Sequence, residues 1–117
     1  MGRDGWHMVY EGGTLVHARS MPADFDVVVE TTVVGGAGLS KSRIARQVRQ
    51  DVWRALAGLR GFKPIVTVAE DDGDLIVRAG GRVDGPFPKA RAEMVIHDIL
   101  HDPMRRLRWV NYARRSE

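Results

Sequence analysis

Cysteine is absent from the chain, which excludes a disulfide framework, a thiolate nucleophile and any cysteine-based zinc site. That absence fits a reducing cytosol, and the expected location is cytoplasmic, in a host cytoplasm or a virion if the chain is phage-encoded. Long apolar runs are also missing. The longest nearly uncharged stretch, residues 31–40, is glycine-rich and far shorter than a membrane span. No basic segment followed by an apolar run stands at the N-terminus, so a soluble, unanchored protein with no membrane partner is expected. The catalytic signatures G-x-S-x-G and H-E-x-x-H do not occur, and the expectation is a non-enzyme without a cofactor.

What is present is a rhythm. With 117 residues, the chain has the size of one ordinary domain. Around Gly12-Gly13 the sequence alternates as in a hairpin, placing Trp6, Met8 and Tyr10 on one face. Residues 27–34 are β-branched and apolar on both faces, the mark of a central strand. Gly35-Gly36-Ala37-Gly38 breaks that strand and Ser40 can cap a helix. In the helix, Ile44, Val48, Val52, Ala55, Leu56 and Leu59 recur at helical spacing. Strands at 65–69 and 75–79 flank an Asp71-Asp72-Gly73 turn, residues 80–88 read as a loop, and a second helix buries Ala92, Val95, Ile96, Ile99 and Leu100. Pro103 ends it, and residues 107–112 read as a last strand. The order βαββαβ predicts an α+β, two-layer ferredoxin-like sandwich, with its first and third strands central, preceded by an N-terminal β-hairpin. One domain spans 1–117: a hairpin extension at 1–22, the core at 25–112 and a frayed basic tail at 113–117.

Net charge is only +3 but unevenly distributed. Residues 41–60 hold six cations, Lys41, Arg43, Arg46, Arg49, Arg54 and Arg60, against the single acid Asp51. Acids gather instead at Asp24, Asp26, Glu30 and in Glu70-Asp71-Asp72-Asp74. Projected on a helix, Arg43, Arg46 and Arg54 lie opposite the apolar stripe, while Arg49, Trp53 and Arg60 line one flank. Guanidinium groups pair with phosphate, and an adjacent indole can stack on a base. The same pattern also suits a solvated helix face with Trp53 tucked under a sheet edge. A second basic group, Arg105, Arg106, Arg108, Arg114 and Arg115, closes the chain.

Three further constellations bear on chemistry. Gly35-Gly36-Ala37-Gly38-Leu39-Ser40-Lys41-Ser42 resembles the phosphate-binding loop of the P-loop nucleotidases, with Ser40 where the second glycine belongs. A plainer reading is a glycine-rich turn into a serine-capped helix, whose N-terminus could still accept a phosphate. Glu93, His97 and His101 stand four residues apart on one helix flank, a spacing that suits either a metal or surface ion pairs. His7 and His17 fall on opposite faces of the hairpin and make a poor catalytic pair.

Residues 61–100, above all Leu75-Ile76-Val77-Arg78-Ala79-Gly80 followed by Gly85-Pro86-Phe87-Pro88, resemble the second half of a SPOR domain, the βαββαβ module that binds peptidoglycan glycan strands. The resemblance implies a glycan groove on the exposed sheet face. The RNA-recognition motif, by contrast, stacks bases on aromatics of its first and third strands, and residues 27–34 and 75–79 hold none.

The reading that best fits these features is a non-enzymatic small binding protein, an adaptor or inhibitor of bacterial or phage type. It would dock through Lys41, Arg43, Arg46, Arg49, Trp53, Arg60, Arg105, Arg106 and Arg108 onto nucleic acid, a nucleoprotein complex or an acidic protein surface. The alternatives are a structural subunit of a larger assembly such as a phage particle, with Trp6, Tyr10 and Trp109 as interface anchors, and a SPOR-like glycan-binding module.

Overall fold

The computed structural model describes residues 5–114. Strands β1 (His7–Glu11), β2 (Thr14–Ala18) and β3 (Val27–Val33) precede helix α1 (Lys41–Leu56). Strands β4 (Lys63–Asp71) and β5 (Asp74–Arg82) follow, and α2 (Lys89–Leu100) and α3 (Pro103–Ala113) end the chain. Two hairpin turns set the register. Gly12 and Gly13 have φ of 59° and 89° between β1 and β2, and Asp72 and Gly73 have 52° and 85° between β4 and β5. These are the left-handed conformations that a two-residue hairpin turn requires.

The five strands form one antiparallel sheet in the order β1-β2-β4-β5-β3. The expected hairpin therefore extends the sheet, with β2 pairing along β4. One face carries Leu15, Val66, Val68, Leu75, Val77, Ala79, Val27 and Val33 into a core shared with Ile44, Val48 and Val52 of α1, Ile96, Ile99 and Leu100 of α2 and Trp109 of α3. On the other face Val16, Ala18 and Ile65 are covered by Met21, Ala23 and Phe25 from the β2–β3 connection. Further along that face an Arg78–Glu30 pair (2.9 Å) lies exposed. The architecture is thus a two-layer α+β fold.

The closing strand expected at 107–112 is instead part of α3. Asp102 caps that helix by accepting from the Arg105 N–H (3.3 Å), and Pro103 occupies the first turn, where proline's missing N–H costs nothing. Arg106, Trp109, Val110 and Ala113, at i, i+3, i+4 and i+7, are its half-buried and buried positions. Without a fourth strand the ferredoxin-like order is incomplete, and β3, expected in the middle, is an edge. Arg106 guards that edge. Its guanidinium donates to Thr31 Oγ1 (3.0 Å), to the Thr32 carbonyl and to the Leu100 carbonyl (2.7 Å), which blunts a strand otherwise open to pairing.

Other expectations also shift. Gly80 and Gly81 are buried within β5 rather than starting a loop. A side chain on Gly80 would meet the Val27 carbonyl, and one on Gly81 the Lys63 carbonyl, so both glycines admit a close approach of neighbouring strands. Ala55, placed on the α1 core stripe, is exposed, while Ala45 is fully buried. Ala113, expected to fray, is buried, and its carbonyl accepts from the Ser40 N–H (2.9 Å). Residues 115–117 of the basic tail, Arg115 among them, and residues 1–4 lie outside the described residues.

Helices α1 and α3 are joined through one buried carboxylate. Asp51 accepts from the Trp109 indole N–H (2.8 Å) and from Arg108, whose guanidinium charge neutralises it. The Asp51 side chain is 5% exposed and that of Arg108 47%. Replacing Asp51 by alanine strands the indole N–H without an acceptor, and urea unfolding should show a loss of about 2–3 kcal/mol. Arg108→Ala should cost a similar amount, about 2–3 kcal/mol, because it leaves the buried Asp51 carboxylate without its countercharge. Gly80→Ala should be worse than either, above about 4 kcal/mol, since the clash is with backbone.

Candidate functional site

The two flanks of α1 differ in what they meet. Asp51 turns to α3 on one flank. Arg49 and Trp53, each two residues from Asp51 and so about 200° away around the helix, look to the other side. Arg46, Arg49, Gln50 and Trp53 follow one another at i, i+3, i+4 and i+7 and share a face. Facing them is the end of the sheet where Ala18 of β2 pairs with Ile65 of β4. That register sets Arg19 beside Pro64, next to Phe62 and Lys63. Between helix and sheet end lies a cleft of about 490 Å³ lined by Trp6, Arg19, Arg49, Gln50, Trp53, Phe62, Lys63 and Pro64. Its size is within the roughly 300–1,000 Å³ of small-ligand pockets.

One aromatic residue, Trp6, lies against two of the cations. The Arg49 guanidinium carbon sits 4.3 Å from the Trp6 ring centre, and that of Arg19 5.2 Å, a geometry in which the ring's negative face attracts positive charge. Trp6 rests in turn against the buried His17 ring (5.4 Å between centres, 41° between planes). The His17 Nδ1–H donates to the His7 carbonyl (2.9 Å). Across the cleft Trp53 lies nearly parallel to Phe62, with centres 6.2 Å apart and planes 9° apart. Phe62 is buried, whereas Trp53 is 45% exposed. One indole is thus backed by a ring and open elsewhere. Among the described residues the lining holds three cations, Arg19, Arg49 and Lys63, and no carboxylate.

The other expected site residues scatter. Arg46 is exposed on the same face as the cleft, with no ion pair among the described residues. Arg60 is exposed, but it does not line the cleft, and Lys63 stands there instead. Arg43 bends to the C-terminus, donating to the Arg114 carbonyl (3.4 Å) and lying 5.9 Å from the Tyr112 ring centre. Lys41 is drawn to Glu70 (3.7 Å) and its side chain is 18% exposed. Arg105 pairs with Asp102 (2.8 Å), Arg106 is committed to β3, and Arg108 to Asp51. These three arginines stand on α3, which packs on the opposite flank of α1, so the basic helix and basic C-terminus do not make one continuous surface. Trp109, expected as an interface anchor, is fully buried because its indole N–H serves Asp51. Trp6 is half-buried in the cleft, and Tyr10 remains 63% exposed on β1.

Four backbone donors of the loop before α1 are occupied from within. The Gly35 N–H donates to Asp74 Oδ1 (2.8 Å), the Ala37 N–H to the Gly73 carbonyl (3.2 Å), the Leu39 N–H to the Gly36 carbonyl (2.9 Å) and the Ser40 N–H to the Ala113 carbonyl. Ser40 Oγ caps α1 by accepting from the Arg43 N–H (3.3 Å). A carboxylate of the chain itself therefore stands where a phosphate would be wanted, and Lys41 points to another. On α2 the His97 and His101 rings stack (4.1 Å), and the His101 Nδ1–H donates to the His97 carbonyl (2.9 Å). Among the described residues no group of three or more metal-ligating side chains assembles, and no helix is long and apolar enough to cross a membrane.

Sequence reasoning found Arg49 and Trp53 but missed Arg19, Phe62 and Lys63. Those three join the site only through the β2–β4 pairing, which no local pattern announces. No family model matches the chain, and neither a curated protein nor a solved structure matches it.

Proposed function

We propose that the chain is a non-enzymatic binding protein that docks on nucleic acid, free or within a nucleoprotein complex, through the cleft between α1 and the start of β4. The observation that carries this reading is the lining of the cleft, in which Arg19 and Lys63 stand with two indoles and, among the described residues, no carboxylate. A lining of one charge sign in a concavity with low-dielectric walls focuses the field and favours an anion. The Arg19 guanidinium, held over the Trp6 indole, also loses less freedom when it meets phosphate than a free side chain would. Arg46, exposed along the same helix face, widens the positive rim. Phosphate contacts of this kind give affinity that salt weakens, without reading sequence.

Arg19 and Lys63 are exposed cleft residues on separate elements, so their reversal tests the site while sparing the core. Arg19→Glu combined with Lys63→Glu should remove retention on immobilised nucleic acid at low salt. Thermal stability should stay within about 0.5 kcal/mol of the unaltered chain, as for other surface changes. Undiminished retention by the double variant would refute the reading.

A further inference from the structure

The geometry points to single-stranded nucleic acid as the occupant of the cleft, with one unstacked base lying on the open part of Trp53 and the adjoining phosphates on Arg19 and Lys63. This rests on the reading above and narrows it. Trp53 is already the second layer of a stack, since Phe62 lies parallel behind it at 6.2 Å. Its 45% exposure leaves ring surface for a third planar layer. Every base has a π-face, so stacking of this sort is sequence-tolerant and contributes substantially for each base held.

Duplex binding does not use this arrangement. In a duplex the bases are stacked on one another and only their edges reach the grooves, whereas the indole here is recessed in a concavity beside the sheet end. A bare anion or a sulfated glycan would engage the cations but leave the aromatic stack idle. The order of groups also fits a strand. Arg49 and Trp53 are one helical turn apart on α1, and Arg19 and Lys63 come from neighbouring strand ends across the cleft. A base on the indole thereby faces the two cations of the opposite wall, where its adjoining phosphates fall. Neutralising about two phosphates of a single strand gives a slope of about −1.4 in log affinity against log salt, at about −0.7 for each contact.

The test compares four labelled probes by fluorescence anisotropy at two salt levels: a short oligothymidylate, an oligouridylate of the same length, a hairpin duplex and heparin. Tryptophan emission is recorded in parallel. The expected result is tighter binding of both single strands than of duplex or heparin, with quenching of emission; a difference between the two single strands identifies DNA or RNA as the preferred source of the same chemistry. Trp53→Ala should weaken single-strand binding by about 5- to 150-fold, and Trp53→Phe, which keeps a ring, should recover most of it. Both substitutions fall on a half-exposed position, and circular dichroism checks that the fold is retained. Equal binding of duplex, heparin and single strands without quenching would overturn the single-strand assignment while leaving an anion-docking cleft in place. Undiminished binding by folded Trp53→Ala would overturn it as well. Failure of all four probes to bind would overturn both this assignment and the function from which it proceeds.

Discussion

The Asp51 carboxylate is the constraint on which the rest of the structure turns. It is the one acid in α1, and it is placed inward, where the Trp109 indole and the Arg108 guanidinium satisfy it. A buried carboxylate without such partners would be strongly unfavourable, so α3 has to lie along that flank of α1. Two consequences follow from one contact. The C-terminal segment becomes a packed helix, and the outer side of α1 is left with no negative charge of its own. The cleft is cationic partly because the one acid of α1 is neutralised on the far side of the helix.

Docking α3 in this way also explains why the sheet stops at β3. A fourth strand would need the same segment of chain, but Trp109 is held by Asp51 and Ala113 accepts from Ser40. The exposed edge is then managed by Arg106, which takes a β3 carbonyl while tying β3 to the α2–α3 junction. An arginine that looks in sequence like a member of a basic surface is a structural clamp. The same is true of Arg108, and both differ from Arg19 and Lys63, which are exposed at the cleft.

Much of the architecture is legible in the sequence because it rests on local rules. Gly12-Gly13 and Asp72-Gly73 specify their hairpins through positive φ. Ser40 caps α1, and the Ile44, Val48, Val52 stripe is fully buried. The last element is misread for a physical reason. Leu107, Trp109 and their neighbours alternate well enough to imitate a strand, while the true helical stripe of Arg106, Trp109, Val110 and Ala113 is interrupted by an arginine whose burial depends on tertiary acceptors. Asp102-Pro103 is both a stop for α2 and a start for α3, and only the second role reveals the helix. The Gly80-Gly81 pair misleads similarly, since glycine that permits close strand contact is indistinguishable in sequence from glycine that opens a loop. At the site, helical periodicity reveals the Arg49–Trp53 flank, but Arg19, Phe62 and Lys63 arrive by long-range strand pairing that periodicity does not encode.

The central claim is that ligand is met at the cleft and not along α3, and the three tryptophans report on both places. A nitrogen–proton correlation spectrum recorded during titration with a short single-stranded oligonucleotide resolves their indole N–H signals. The account predicts that the signals of Trp6 and Trp53 move with ligand while that of Trp109, buried and bonded to Asp51, stays still. Movement confined to Trp109 and the α3 amides, with Trp6 and Trp53 unchanged, would contradict it.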